Sequence, residues 1–307
     1  MTSTRDTSTP VVQVPTRMLV EALVRTDHTV DTGEVYATAS QLGMSDQQVR
    51  LCIKRLVVEG RFTQEGRGRK ALLRATDATE RMLGPDADFV AHAYRQDAGL
   101  APWDGTWHLV AFAVPETARV ARDALRTALT RLGGGPVQGG LYASPNAWEP
   151  YVQEQVRHLG VLDHVSFLTT DDLRHGSERD PAALARLWWP QAETADRYHR
   201  LTAVTEPRLA RLRAPENLPH AQRLTIAVEL AAEFTRAMEP DPLLPPELLS
   251  QPWPGTKARE LVAQCWSLLA DQEEPDPDPG QGPAPEGEGV RLFRLYSDVI
   301  NQAVIDM

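Results

Sequence analysis

Eight basic side chains crowd residues 45–75: Arg50, Lys54, Arg55, Arg61, Arg67, Arg69, Lys70 and Arg74. Only Asp46, Glu59 and Glu65 oppose them, a local balance of +5 in a chain whose formal charge is −10. Guanidinium and ammonium groups at this density bind phosphate, Arg as a planar fork and Lys as a point charge. An acidic chain with one basic segment directs polyanion contact to that segment. The overall acidity excludes a general nucleic-acid coat protein.

The elements that must carry these charges are legible. Leu42-Gly43-Met44 breaks a first helix, and Ser45 opens a second with Gln48 three residues on, a capping-box pattern. Val49, Cys52, Ile53, Leu56 and Val57 recur at helical spacing as an inward stripe. Gln47, Arg50, Leu51 and Lys54 fall on another face, open to solvent or a partner. Gly60 is suited to stop the helix. The segments 61–65 and 69–75 then pair as strands around Gly66-Arg67-Gly68. This order predicts a winged helix-turn-helix over residues 15–85, whose second helix enters a DNA major groove. The candidate DNA-binding residues are Ser45, Gln47, Gln48, Arg50, Lys54, Arg55, Arg67, Arg69 and Lys70. Arg55 is also placed to turn inward and brace the helix. The competing reading is a winged-helix scaffold for protein contacts with solvated charges.

Catalytic and metal chemistry lack a pattern. The eight histidines (28, 92, 108, 158, 164, 175, 199 and 220) show no HExxH or Cys/His ligand spacing. Gly133-Gly134-Gly135 lacks the Lys and Ser of a phosphate loop, and Ser144-Pro145 lacks the glycines of a nucleophile elbow. No enzyme activity, catalytic residue, metal or cofactor is therefore expected. Cys52 and Cys265 lie far apart and imply no disulfide framework. No run approaches the roughly twenty apolar residues that span a bilayer. No signal peptide is read, so a cytoplasmic protein without membrane partners is expected.

Composition and periodicity divide the rest of the chain. Residues 1–14 read as a disordered tail. Residues 100–175 read as strand, helix, two short strands joined at Gly139-Gly140, helix and strand: βαββαβ, the ferredoxin-like order. Helices on one face of such a sheet would leave the other open for dimerisation. Residues 180–270 are helical, 271–289 hold seven acids and no base in a Pro/Gly-rich linker, and 290–307 regain amphipathic helical periodicity. That last helix is expected to dock on the helical domain or on a partner chain. The expected class is α+β: winged helix-turn-helix, central ferredoxin-like domain, C-terminal helical domain.

Three sets of residues in register carry a resemblance. Gly105-Thr106-Trp107-His108-Leu109-Val110, Pro115-Glu116, Arg119, Arg122-Asp123, Leu125-Arg126 and Gly140-Leu141-Tyr142-Ala143-Ser144-Pro145 form the central set. Val49-Arg50, Arg55-Leu56 and Glu59-Gly60 precede it. Asp241-Pro242, Leu244-Pro245, Glu247-Leu248-Leu249 and Trp253-Pro254-Gly255 follow, and Leu292-Phe293-Arg294-Leu295-Tyr296 echoes a terminal segment. Together they resemble the phenylacetate-degradation repressor (PaaX) family over roughly residues 15–270. The resemblance implies a Cas2-like central fold and a homodimeric repressor of a double-stranded DNA operator. It also implies release by an aryl-acyl thioester such as phenylacetyl-coenzyme A. The first central strand ends Ala113-Val114-Pro115, without the aspartate that Cas2 nucleases use for metal, and Leu132-Gly133-Gly134-Gly135 departs from the family's aromatic-containing turn.

Arg119, Arg122 and Arg126, at offsets of three and seven, form one helical stripe that either holds coenzyme A phosphates, pairs with acids, or is simply solvated. Trp188, Trp189 and Trp253 either line an aryl pocket or anchor a core. Arg119, Arg122, Arg126, Trp188 and Trp253 are thus the candidate effector residues. The alternative function is a repurposed member that binds or converts a small molecule without reading DNA.

Overall fold

The computed structural model describes residues 10–80, 87–214, 216, 218–271 and 289–305. Helices and two antiparallel sheets combine in an α+β chain. It divides into two compact units. One takes the described residues of Met1–Tyr94, His199–Arg236 and Thr256–Met307, and the other takes Arg95–Tyr198 and Ala237–Gly255.

The first unit opens with α1 (Thr16–Ala22), β1 (Thr29–Asp31), α2 (Thr32–Gln41) and α3 (Asp46–Val58). The hairpin β2 (Phe62–Glu65) and β3 (Leu72–Ala75) follows, then α4 (Asp77–Glu80) and α5 (Ala87–Asp97), of which residues up to Tyr94 are counted in this unit. The sheet order is β1-β3-β2, with β3 central. Strand β1 was not expected, since three residues are too few to show a period. Residues 81–85, the end of the expected winged helix-turn-helix, lie outside the described residues.

The second unit contains β4 (Trp107–Phe112), α6 (Arg119–Arg131), β5 (Gly135–Gln138), β6 (Leu141–Ser144), α7 (Glu149–His158), β7 (Val165–Thr170) and α8 (Pro181–Trp188). All strand pairs are antiparallel, in the order β5-β6-β4-β7. One face packs Val110 and Tyr142 against Leu125 and Leu129 of α6 and Val152 and Val156 of α7. The face expected to lie open is covered: Trp107, Leu109 and Ala143 pack on Leu184, Ala185, Trp188, Trp189, Leu244 and Leu248. Burying these residues removes an apolar surface that water would otherwise cover, at about 25 cal/mol per Å². The glycine run 133–135, which ends on the first residue of β5, makes room for packing on both faces. A Cβ on Gly134 would stand 2.5 Å from the Trp148 ring, and one on Gly135 2.7 Å from Trp189.

Helices α9 (Gln191–Leu212), α10 (His220–Met238), α11 (Pro254–Asp271) and α12 (Arg291–Ile305) complete the chain. In the first unit, α12 docks within the same chain. Tyr296 stacks on Trp266 at 4.7 Å and meets Phe234 edge-on at 5.4 Å. The backbone at its start zips to the loop after α1, Thr26 N donating to Gly289 O and Arg291 N to Val24 O, both at 3.0 Å. The acidic linker expected at 271–289 lies, apart from its two end residues, outside the described residues. Residues 10–14, expected in the tail, are packed instead. Val12 is buried with Val204 and Ala232, and Arg200 and Arg236 donate to the carbonyls of Val11 and Gln13. Those two arginines converge on the buried carboxylate of Glu233.

Candidate nucleic-acid interface

Helix α3 is built as its sequence suggests. The Ser45 hydroxyl accepts from Gln48 N at 3.3 Å, and Gln48 Oε1 accepts from Ser45 N at 2.8 Å, closing the capping box. Ser45 and Gln48 therefore have their side chains engaged in the cap. At the other end Gly60 adopts φ +68°, and Gly60 N and Arg61 N donate to Val57 O and Leu56 O. This paired capping satisfies carbonyls that the last turn leaves without a partner. Val49, Ile53 and Leu56 are buried and Cys52 is half-buried. Gln47, Arg50, Leu51, Lys54 and Arg55 are all exposed, so Arg55 faces solvent and does not brace the core. Arg17 bridges α1 to the end of α3, 3.1 Å from Glu59 and 2.9 Å from Glu21.

The hairpin turn does not stand free. It is fastened to the start of α2 by the buried Thr32, whose hydroxyl lies 2.9 Å from Gly68 O and 2.7 Å from Ala71 O. Thr32 N also donates to Ala71 O. Gly33 permits the approach, since a Cβ there would meet Arg69 O at 3.1 Å and Asp31 Oδ1 at 2.9 Å. Asp31 caps α2 through Gly33 N at 2.6 Å. Arg69 closes the arrangement from outside. Its guanidinium holds both Asp46 oxygens at 2.9 and 3.1 Å and lies 5.2 Å over the Tyr36 ring. Of the basic candidates, Arg69 is thus tied to the first turn of α3. Among the described residues, no side-chain partner is found for Arg50, Lys54, Arg55, Arg67 or Lys70.

Behind α2 a second polar group ties the unit together. Glu34 lies 3.6 Å from His220 and 3.1 Å from Arg25. The facing His220 side chain and the Arg25 charge hold the Glu34 carboxyl below the usual range, against the opposing effect of burial.

The candidate effector residues do not converge. Arg119 and Arg122 are paired with acids of their own helix and the turn before it: Arg122 lies 2.7 Å from Glu116 and Arg119 3.5 Å from Asp123. Arg126 is exposed. Helix α6 covers one face of the four-stranded sheet, whereas Trp188 is buried on the other. There Trp188 meets Trp107 and Trp189 edge-on, with Trp189 stacked on Trp107. Trp253 packs edge-on to Tyr198 at 6.1 Å. The tryptophans occupy core positions, and the arginine stripe and Trp188 cannot line one pocket.

Comparison with known proteins agrees with the chain's order. Residues 100–185 match the family model described as the PaaX protein central Cas2-like domain, and residues 189–275 match the PaaX-like protein C-terminal domain. The transcriptional repressor PaaX of Escherichia coli (strain K12) is 26% identical over 239 residues, 78% of this chain and 73% of that protein. Among solved structures, the uncharacterized protein Rv0674 from Mycobacterium tuberculosis is similar over 78% of this chain and 88% of its own. It shares 23% identity at a TM-score of 0.48. With two consecutive models of one family matched in register across more than half of its length, the chain belongs to the PaaX family.

Proposed function

We propose that this protein is a transcriptional repressor that binds double-stranded operator DNA through residues 45–75. In this reading the first unit carries a winged helix-turn-helix, with α3 as the recognition helix and β2–β3 as the wing. The βαββαβ sheet of the second unit is read as ferredoxin-like. The observation that carries the proposal is the set of exposed cations without side-chain partners on α3 and the hairpin turn, in a chain that is otherwise acidic. Gln47 and Arg50, at the start of α3, are the candidates for base contacts, each worth about 1–3 kcal/mol of discrimination. Lys54, Arg67 and Lys70 are candidates for phosphate. The similarity to a repressor supports the direction of regulation.

The protein is further proposed to act as a two-fold dimer on an inverted repeat, because one such module covers only a modest patch of DNA. An acyl thioester of coenzyme A is the proposed effector class, taken from the family. It lowers operator affinity only through its differential affinity for the DNA-free conformation, so DNA must weaken effector binding by the same factor. No catalytic role is proposed.

A mobility-shift assay with the protein's own upstream region tests the reading, run with and without phenylacetyl-coenzyme A and the free acid. Retention of that region over unrelated DNA, released by the thioester alone, is expected. Equal affinity for both DNAs would overturn operator reading. Indifference to both compounds would remove this effector class and leave DNA binding standing.

A further inference from the structure

The two edges of the four-stranded sheet are unlike. At one edge, β5 contains Pro136, and its ladder with β6 shifts register between Pro136 and Gln138. Trp188 and Trp189 crowd its first residue, Gly135. Proline, an irregular ladder and a covering helix each block the addition of another strand. At the other edge, β7 runs Val165-Ser166-Phe167-Leu168-Thr169-Thr170 with no charge, proline or bulge, in unbroken register with β4. Among the described residues its outer side pairs with nothing. Ser166, Leu168 and Thr169 are exposed, and Leu168, opposite Leu109, leaves 49% of its surface in water. An uncharged edge with an exposed leucine at its centre is a template for another strand.

We propose that β7 pairs antiparallel with β7 of a second copy, with Leu168 on the two-fold axis, joining two four-stranded sheets into one of eight. The register follows from symmetry and charge. A two-fold perpendicular to an antiparallel ladder sets one residue opposite itself, so the centre is Phe167 or Leu168. Centred on Phe167, Asp163 faces Asp171 of the other copy, a like-charge pair that opposes association. Centred on Leu168, His164 faces Asp172, which also holds Arg174, and Val165 faces Asp171. This register also buries the two half-exposed leucines against each other, whereas Phe167 is already partly buried beneath α6 and α7. A six-residue ladder is a small interface, so the dimer dissociates reversibly on dilution. The assignment rests on the two-fold arrangement proposed above and needs no DNA to be tested.

The test is oxidative cross-linking of the full chain carrying Leu168→Cys, with Ser166→Cys as the offset control and sedimentation in parallel. The natural thiols give little background: Cys265 is buried, with its thiol pushed up to about 12, and burial also raises that of Cys52. Residues directly opposite lie about 5 Å apart, within reach of a disulfide. Two copies of residue 166 would be offset by four positions, roughly 13 Å along the strand. Cross-linking at 168 and not at 166 is expected. Leu168→Lys, which sets two ammonium groups across the axis, is expected to weaken self-association about tenfold or more. A dimer that cross-links equally at both positions, or that Leu168→Lys leaves intact, overturns the edge assignment while the two-fold reading stands. A monomer at all concentrations up to tens of micromolar overturns both.

Discussion

Replacing Thr32 with Val removes one hydroxyl and tests whether the hairpin turn is held by α2. That hydroxyl's single proton is shared between Gly68 O and Ala71 O, at 2.9 and 2.7 Å in a buried position. Neither carbonyl is orphaned by the change. Gly68 O still accepts from Ala71 N at 3.2 Å, and Ala71 O from the backbone N–H of residue 32 at 3.2 Å. The loss is therefore near the net value of one hydrogen bond, about 1 kcal/mol. A methyl group pressed against two carbonyl oxygens raises it toward about 2 kcal/mol, below the roughly 3 kcal/mol that can follow a buried orphan. One to two kcal/mol is a factor of about 5–30 in a local opening equilibrium. Hydrogen exchange reads this directly: the Ala71 amide should exchange about 5–30 times faster. Amides of β4 and β7 in the other unit should be unaffected, and Thr32→Ser should restore protection. DNA affinity should fall by at most that factor, and alike for every sequence, because Arg67 and Lys70 ride on this turn while α3 is unaltered. Unchanged exchange at Ala71 would show that the Thr32 hydroxyl does not hold the turn, and global loss of the fold would show that the remaining bonds do not suffice.

Two further outcomes follow from pairs in the same unit. Arg69→Gln should weaken DNA binding about two- to tenfold, through loss of a surface ion pair and of the cation–π contact. Asp46→Asn should weaken it as well if Arg69 positions the turn, whereas an Arg69 that contacts phosphate is freed by that change and affinity holds or rises, as a shift assay would show. Glu34, held below the ordinary carboxylate range by His220 and Arg25, contributes stability that is full above that range. The contribution fades as pH falls through the range and is gone below the depressed folded value. Glu34→Gln should therefore flatten the acid limb of thermal stability, and an identical limb in both proteins would disprove the contribution.

Much of this architecture was legible because its signals are local. Ser45 with Gln48, the Val49–Leu56 stripe and Gly60 define α3 within sixteen residues, and alternation with paired glycines locates β4, β5, β6 and β7. Helix α5 lies outside the sequence expectations although Phe89, Val90, Ala93 and Tyr94 stand at helical spacing. What stayed hidden depends on contacts distant in sequence. Thr32 gives no hint that it will meet a turn some forty residues on, and Trp188 none that it will cover Trp107. Arg69 carries the same charge as Arg67 and Lys70, and only the fold brings Asp46 and Tyr36 to it. The pairing of Arg119 and Arg122 was more accessible, since Glu116 and Asp123 lie within a turn or two of them on the same stretch of chain.

If the unpaired cations of α3 and the hairpin turn meet DNA phosphates, the salt dependence of operator binding reads the contact. Each phosphate contact contributes about 0.9 to the slope of log affinity against log salt. Neutralising Lys54, Arg67 and Lys70 together should flatten that slope by about 2.7 per protomer and weaken all DNA sequences alike. Affinity and slope that both match the unaltered protein would mean that these cations do not meet phosphate.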